Sequence, residues 1–294
     1  MIIAKLQGGH SNQLFQYAVA RRLAIERRTT VGLDIDWFKD VPQVDSIREY
    51  ELGCYPLEAK IVNPKKLSIV DPRHPHSRKD VLFKKVRLSK KIWVHHEEGQ
   101  GFHQDFLRIP DNTMMVGFWQ SEKYFSDIRD ILIKELEPTT PLTEKNKAYL
   151  KDITSHDSIA IHVRRGDYVT NKNANAFHGI LPISYYKKGV EYISKKLRKK
   201  DLKIFVFSND ISWCKKNISF DIPVVYVEGN THGSDDMRLM KHCKHFVMAN
   251  STFSWWGAWL ATNEDKIVVA PKKWFQDKAA DNAIDIVPDN WVRL

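Results

Sequence analysis

The chain has 294 residues, 43% hydrophobic and 28% charged, which is ample material for globular cores, and at roughly 100–200 residues per domain two domains are expected. A formal net charge of +10 favours anionic partners, whether nucleic acid, phosphorylated small molecules or an acidic membrane surface, without choosing among them. Cys54, Cys214 and Cys243 are odd in number and far apart, which argues against a disulfide framework; no run approaches the about eighteen apolar residues of a membrane helix, and "MIIAKL" reads as a strand and not a signal peptide. The expectation is a cytoplasmic protein whose basic surface offers peripheral contact with an anionic membrane.

In chain order, a strand (Ile2 to Leu6) leads through Gly8 and Gly9 into an amphipathic helix from about Gln13 to Arg27, and a second strand, "TTVGLDID", follows at Thr29 to Asp36. A glycine turn before a helix N-terminus suits an anionic ligand, because unpaired backbone N–H groups and the helix dipole point outward there. It also suits a plain structural turn. From Trp37 to Asp111 the pattern blurs into prolines, paired histidines and mixed charge, and an irregular, insertion-rich region is expected. Order returns with "TMMVGFWQ" (Thr113 to Gln120) and a helical period over Tyr124 to Leu136. "EPTTPLTEKN" (Glu137 to Asn146) is the candidate linker, placing the domains at 1–145 and 146–294.

The second half is more regular. Strands are expected at Ser158 to Asp167, Leu202 to Asp210, Pro223 to Gly229, His245 to Ser251 and Lys266 to Lys272. Helical segments lie between them, at Ile183 to Leu197, Ile211 to Asn217, Asp235 to Cys243 and Thr252 to Ala261. Near-continuous apolar strands alternating with helices indicate a parallel sheet covered on both faces, and right-handed crossovers make it Rossmann-like. The fold class is therefore α/β, in two domains.

Ligands of open parallel sheets bind outside the carboxyl ends of the strands, and three of those ends are polar here. In "HVRRGDY", alternation puts His162 and Arg164 on one side of the strand and Arg165 on the other. Two adjacent arginines at a strand end need anions: a diphosphate matches their planar forks, and an ion pair with Asp167 is the internal alternative. In "ANSTFSWWG", Asn250, Ser251 or Thr252 caps a helix, and such a start binds phosphate oxygens or is simply capped. Trp255, Trp256 and Trp259 at helical spacing read as core. In "FSND", Asn209 and Asp210 recognise a purine edge or close a turn. No P-loop and no G-x-G-x-x-G fingerprint occurs. The pairs Asp34/Asp36 and Asp235/Asp236 are weak metal signals, and His242, Cys243 and His245 lack a zinc partner set, so no metal site is assigned.

"HVRRGDY" at 162–168, "FSND" at 207–210 and "ANSTFSWWGAWL" at 249–260 resemble the signature blocks of the α-1,2-fucosyltransferases, glycosyltransferase family 11, and the opening stretch is similar to that family's "GGLGNQMFQYA". Here that loop reads Gly8-Gly9-His10-Ser11-Asn12. Ser11 replaces a glycine, which leaves Gly9 to carry the turn or the loop to differ, and His10 to point into the cleft.

The resemblance implies a GT-B architecture, two Rossmann-like domains facing a central cleft. GDP-fucose would bind mainly to the C-terminal domain and a terminal β-galactoside to the N-terminal one. An inverting, α-1,2-linking transfer is implied, with no cofactor and no obligatory metal, in surface polysaccharide or O-antigen synthesis. On this reading the phosphate-holding arginine is Arg164 or Arg165, with no choice made between them, and Asp167, His162 and Asp36 are candidate bases. Gly9, Asn12, Gln13, Ser208, Asn209, Asp210, Asn250, Ser251, Thr252 and Phe253 bind the donor. The alternatives are another GDP-sugar, linkage or acceptor, and a basic nucleic-acid-binding protein, which would interleave aromatic and basic residues on one exposed sheet face.

Overall fold

The computed structural model describes residues 1–39, 48–73, 91–99, 101–166, 169, 172–198, 201–276 and 285–294. They form two compact units, Met1–Glu137 and Pro138–Leu294.

The first unit is built on β1 (Ile2–Lys5), α1 (His10–Glu26), β2 (Val31–Asp34), β3 (Ala59–Val62), β4 (Ser68–Val70), β5 (Lys91–His96), β6 (Thr113–Val116) and α2 (Arg129–Glu135). Its six strands are all parallel, in the order β3-β2-β1-β6-β5-β4. Three of them come from the stretch expected to be irregular. β3 and β4 are four and three residues long and lie at the sheet's ends, where a strand needs few apolar residues. Only residues 63–67 separate them in the chain. The sheet curls to accommodate this, so that Val62 and Ile69, from its two ends, pack against one cluster of Ile3, Ile92, Val94 and Met114.

α1 is buried on every side from Gln13 to Ala20, which makes it the spine of the unit and not the surface helix that an amphipathic pattern suggests. Its polar residues accordingly find internal partners. Arg21 donates from Nη2 and Nε to Glu135 Oε1 at 2.8 and 3.0 Å, tying α1 to α2. The helical period over Tyr124 to Leu136 resolves into two short 3-10 turns before α2.

The second unit holds α3 (Glu144–Ser155), β7 (Asp157–Val163), α4 (Lys172–His178), α5 (Ile183–Leu197), β8 (Leu202–Ser208), α6 (Ile211–Asn217), β9 (Val224–Tyr226), α7 (Gly233–Met240), β10 (His245–Val247), α8 (Thr252–Leu260), β11 (Val268–Ala270) and β12 (Val292–Arg293). The division falls after Glu137, not after residue 145. Arg238 donates to the carbonyls of Pro138 and Thr140, the latter at 2.7 Å, so the linker belongs to this unit.

The strand order β12-β11-β10-β7-β8-β9, all parallel, is the Rossmann order. The chain runs outward from β7 to β9, then returns to β10 on the other side of β7. One face of β7 and β8 (Ile159, Ile161, Val163, Ile204, Val206) packs on Tyr185, Tyr186, Val190 and Ile193 of α5. α8 is apolar almost throughout. Trp255 and Trp256 are fully buried, Trp255 stacks on Trp259, and Trp255 Nε1 donates to the Ile286 carbonyl. These tryptophans are core, each contributing roughly 2–3 kcal/mol by burial.

Candidate active site

Where the strand order reverses, helices leave neighbouring strands toward opposite faces of the sheet, and a crevice opens between the strand ends. In the second unit that place lies between β7 and β10. β7 continues into Arg164, Arg165 and Gly166, and β10 continues through Asn250 into α8.

On the β10 side, Ser251 is the N-cap of α8: its extended backbone precedes the helix, and its Oγ accepts the Phe253 N–H at 3.3 Å. The first turn of a helix has N–H groups with no intrahelical acceptor, so Thr252 stands at a positive helix end. Asn250 has a different task. It is 3% exposed, and its Nδ2 donates to the carbonyls of His178 and Trp274 at 2.7 and 3.2 Å. It braces two distant chain segments around the helix start, and its amide donors are turned away from a ligand.

On the β7 side the two arginines part as strand alternation requires. Arg164 shares the His162 side, where its charge and above all burial push the His162 pKa down to about 3. His162 packs its ring 5.1 Å from that of Phe253, in the first turn of α8. His162 is thus a buried ring packed against Phe253, its pKa lowered by burial first and by the Arg164 charge second.

Arg165 turns toward β8. Its Cζ lies 3.7 Å from the centroid of the Trp213 ring and its Nε is 3.4 Å from Asp210 Oδ2. Asp210 also caps α6, accepting the Trp213 N–H at 3.1 Å. Asn209 Oδ1 accepts the Arg165 N–H at 3.0 Å. Ser208 Oγ donates to the Val163 carbonyl at 2.7 Å and accepts from the Asp210 N–H at 2.9 Å. Ser208, Asn209 and Asp210, expected to touch the donor, therefore form a bracket that fixes the end of β7. A Cβ on Gly166 would fall 2.1 Å from Asn209 Nδ2, so the bracket closes only over glycine. Trp213 is the member that sequence reasoning missed. Its signal was an aromatic three residues after a capping aspartate. Asp167 lies outside the described residues.

The first unit's glycine turn is arranged otherwise. Gly8, at φ +77°, takes the left-handed conformation, while Gly9 is extended and serves as the N-cap. Of the two expected alternatives, Gly9 carrying the turn or the loop differing, the first does not hold: Gly8 carries it. Ser11 sits inside the first turn of α1, where glycine's freedom is not needed. The helix end is occupied from within: Glu51 Oε2 accepts the His10 N–H at 2.8 Å. Gln13 is fully buried, donating to the carbonyls of Gly8 and Glu49 at 3.1 and 2.8 Å and accepting from Glu51 N–H at 3.0 Å. Both N–H donors of its amide and one lone pair of its oxygen are thereby used inside the first unit, so its donors do not face a ligand. His10 is turned inward to Tyr55 Oη at 2.7 Å, and burial pushes its pKa down to about 4. Asn12 is only partly buried, with Oδ1 accepting from Gln120 Nε2 at 3.0 Å. Asp34 Oδ1 accepts the Asp36 N–H at 3.0 Å and Asp36 pairs with Lys39, a local turn.

Comparison with known proteins gives the chain its family. The model of glycosyl transferase family 11 matches residues 76–294. The chain belongs to glycosyl transferase family 11. It is 34% identical over 307 residues to the O-antigen biosynthesis glycosyltransferase WbnK of Escherichia coli, spanning 98% of this chain and 99% of that protein. It is 33% identical over 298 residues to an alpha-1,2-colitosyltransferase of Escherichia coli, spanning 100% and 99%. Against galactoside alpha-(1,2)-fucosyltransferase 2 of Rattus norvegicus the identity is 28% over 184 residues, 59% of this chain and 51% of that one. Among solved structures, fucosyltransferase NodZ from Bradyrhizobium shares the fold at 13% identity, with a TM-score of 0.51 over 87% of this chain and 92% of that one. The family 11 chain is thus a glycosyltransferase with two parallel-sheet α/β domains of the GT-B class. Among its described residues no helix is long and apolar enough to cross a membrane.

Proposed function

We propose that this family 11 enzyme transfers L-fucose from GDP-β-L-fucose to the 2-hydroxyl of a terminal β-galactoside, inverting the anomeric centre, in the synthesis of a surface polysaccharide such as an O-antigen. The observation that carries the reading is the meeting of Arg164 and the start of α8 at the carboxyl ends of β7 and β10. That is one guanidinium fork and one positive helix end at a single crevice, the pair of elements a diphosphate needs.

As the sugar leaves, it becomes oxocarbenium-like and negative charge grows on the β-phosphate. Donors fixed in advance at that oxygen stabilise the transition state without reorganising. Arg164 supplies the charge, and the start of α8 at Ser251 and Thr252 supplies the positive helix end. Arg165, stacked on Trp213 and paired with Asp210, is the positioning residue that sets the backbone from which Arg164 springs. With cationic groups already at the leaving phosphate, a divalent ion is not required. Late proton loss from the acceptor hydroxyl lowers the demand for a strong base, and Asp167 remains the candidate from the arginine block. The reaction belongs in the cytoplasm, at an anionic membrane surface that the net charge of +10 suits.

A second donor is favoured by the full-length similarity to an alpha-1,2-colitosyltransferase. Colitose is fucose without its 3-hydroxyl, and the phosphate machinery above serves either GDP-sugar. Purified protein given GDP-fucose or GDP-colitose with lactose and EDTA, followed by linkage analysis of the product, tests both. A 2-linked fucosyl product supports the first reading. A 2-linked colitosyl product alone replaces the donor, and absence of any product or GDP affinity overturns the proposal.

A further inference from the structure

The carboxyl edge of the first sheet carries a turn that the phosphate chemistry does not use. β6 ends at Val116 and the chain passes through Gly117, Phe118 and Trp119 to Gln120. Glu97, just past the neighbouring strand β5, grips this turn with both carboxylate oxygens. Oε2 accepts the Phe118 N–H at 2.7 Å and Oε1 accepts the Trp119 N–H at 2.9 Å. A Cβ on Gly117 would fall 2.4 Å from Glu97 Cβ and 2.6 Å from its Oε2, so the carboxylate reaches the turn only because residue 117 has no side chain.

The conformation held this way is an expensive one. Trp119 has φ +55°, a left-handed backbone that bulky side chains disfavour. Its ring is 1% exposed, stacked under His95 at 5.9 Å and edge-on to Tyr124 at 5.4 Å. Its Nε1 has no hydrogen-bond partner among the described residues. With Trp119 locked inward, Phe118 is thrown outward and 41% exposed. Beside it the turn is stitched to α1: Gln16 Nε2 donates to the Gly117 carbonyl at 3.1 Å, and Gln120 Nε2 donates to Asn12 Oδ1 at 3.0 Å. The second bond leaves the Asn12 amino group and the side-chain oxygen of Gln120, two residues past Phe118 in the chain, as an uncharged donor and acceptor.

Strain retained at a strand's carboxyl end points to a site, and the chemistry of this one is that of a neutral polyol. Galactose has C–H bonds at C3, C4 and C5 on one side of its ring, an apolar face that stacks on an aromatic ring, with hydroxyls around it that pair with amides. We propose that the Gly117–Gln120 turn is the platform for the acceptor sugar, with Phe118 as its stacking face, Asn12 and Gln120 as its hydroxyl partners, and Glu97 as the positioning residue that holds the turn in place. This rests on the galactoside reading above and names the residues that execute it.

The test uses the full chain and the variants Phe118→Ala, Phe118→Tyr and Glu97→Gln. Its readouts are kcat and acceptor KM with GDP-fucose and lactose, GDP affinity by calorimetry, and lactose binding by saturation-transfer NMR. Phe118→Ala raises the acceptor KM about tenfold or more and Phe118→Tyr restores it, while GDP affinity stays at the wild-type value. Glu97→Gln gives the same rise, because its amino group would face a peptide N–H in place of a carboxylate oxygen. An acceptor KM within about twofold of wild type in both Phe118→Ala and Glu97→Gln overturns the proposal, as does a wild-type protein that shows no saturation transfer to lactose. If the wild-type protein binds lactose, Phe118→Ala does not, and neither binds GDP, the donor reading falls and the platform stands.

Discussion

Helices α1 and α8 each begin just past the end of a parallel strand, and they are finished in opposite ways. At α1 the positive helix end is filled by the chain itself: Glu51 takes the His10 N–H and Gln13 takes a neighbouring loop. At α8 the cap among the described residues is the Ser251 hydroxyl, Asn250 braces from behind, and Arg164 lies on the adjoining strand end. A glycine or small polar turn before a helix is therefore not enough to assign an anion site. What distinguishes the two is whether a carboxylate elsewhere in the chain has reached the helix first, and whether the strand order reverses there. In the second sheet it does, between β7 and β10; in the first, both strand triples advance across the sheet in the same direction.

The sharpest way to break the contrast is Arg164→Ala. It should lower kcat/KM by about a thousandfold, the effect of deleting one fixed donor at a developing negative charge. Gln13→Ala should act on stability instead. Two carbonyls and an N–H lose a buried partner, which costs about 3 kcal/mol by urea unfolding, while affinity for GDP stays put.

The two buried histidines respond to pH in the same direction. Both folded pKa values lie below the unfolded value near 6.5, at about 4 for His10 and about 3 for His162, so the unfolded chain binds the protons. Stability is complete above pH 6.5 and falls as pH drops toward those values, by about 2 kcal/mol per ring at pH 5. Thermal unfolding at pH 7.5 and 5 reads it, and replacing either ring by a residue that does not titrate should remove its share of the slope. The smallest effect is that of Glu51→Gln, which weakens the α1 end by about 1 kcal/mol. It should show in urea unfolding and not in GDP binding.

Much of the second unit was legible in the sequence because strands buried on both faces read as unbroken apolar runs, and its polar blocks fall at their ends. In the first unit β1, β2 and β6 and the helix α1 were legible, and β5 showed as a strand-like piece, whereas β3 and β4 did not. β3 and β4 carry Lys60, Ser68 and few apolar residues over very short spans, which at a sheet's ends suffices once the sheet curls on itself. For the site, the arginine block and the helix start were readable as a pair. The inward roles of Gln13 and Asn250 were not, because their partners, Glu49 and Glu51 in one case and His178 and Trp274 in the other, lie 24 to 72 positions away. The place of Arg165 was invisible for the same reason: alternation separates the two side chains, but only Trp213 and Asp210 show where Arg165 is held.

The account stands on the claim that the β7–β10 crevice, and not the glycine turn of the first unit, binds the donor diphosphate. Calorimetric titration of GDP into wild type, Arg164→Ala and Gln13→Ala tests it most directly. The expected result is binding to wild type and to Gln13→Ala with the same affinity, and loss of at least about tenfold in Arg164→Ala. Wild-type affinity in Arg164→Ala, or its loss in a folded Gln13→Ala, would contradict the account.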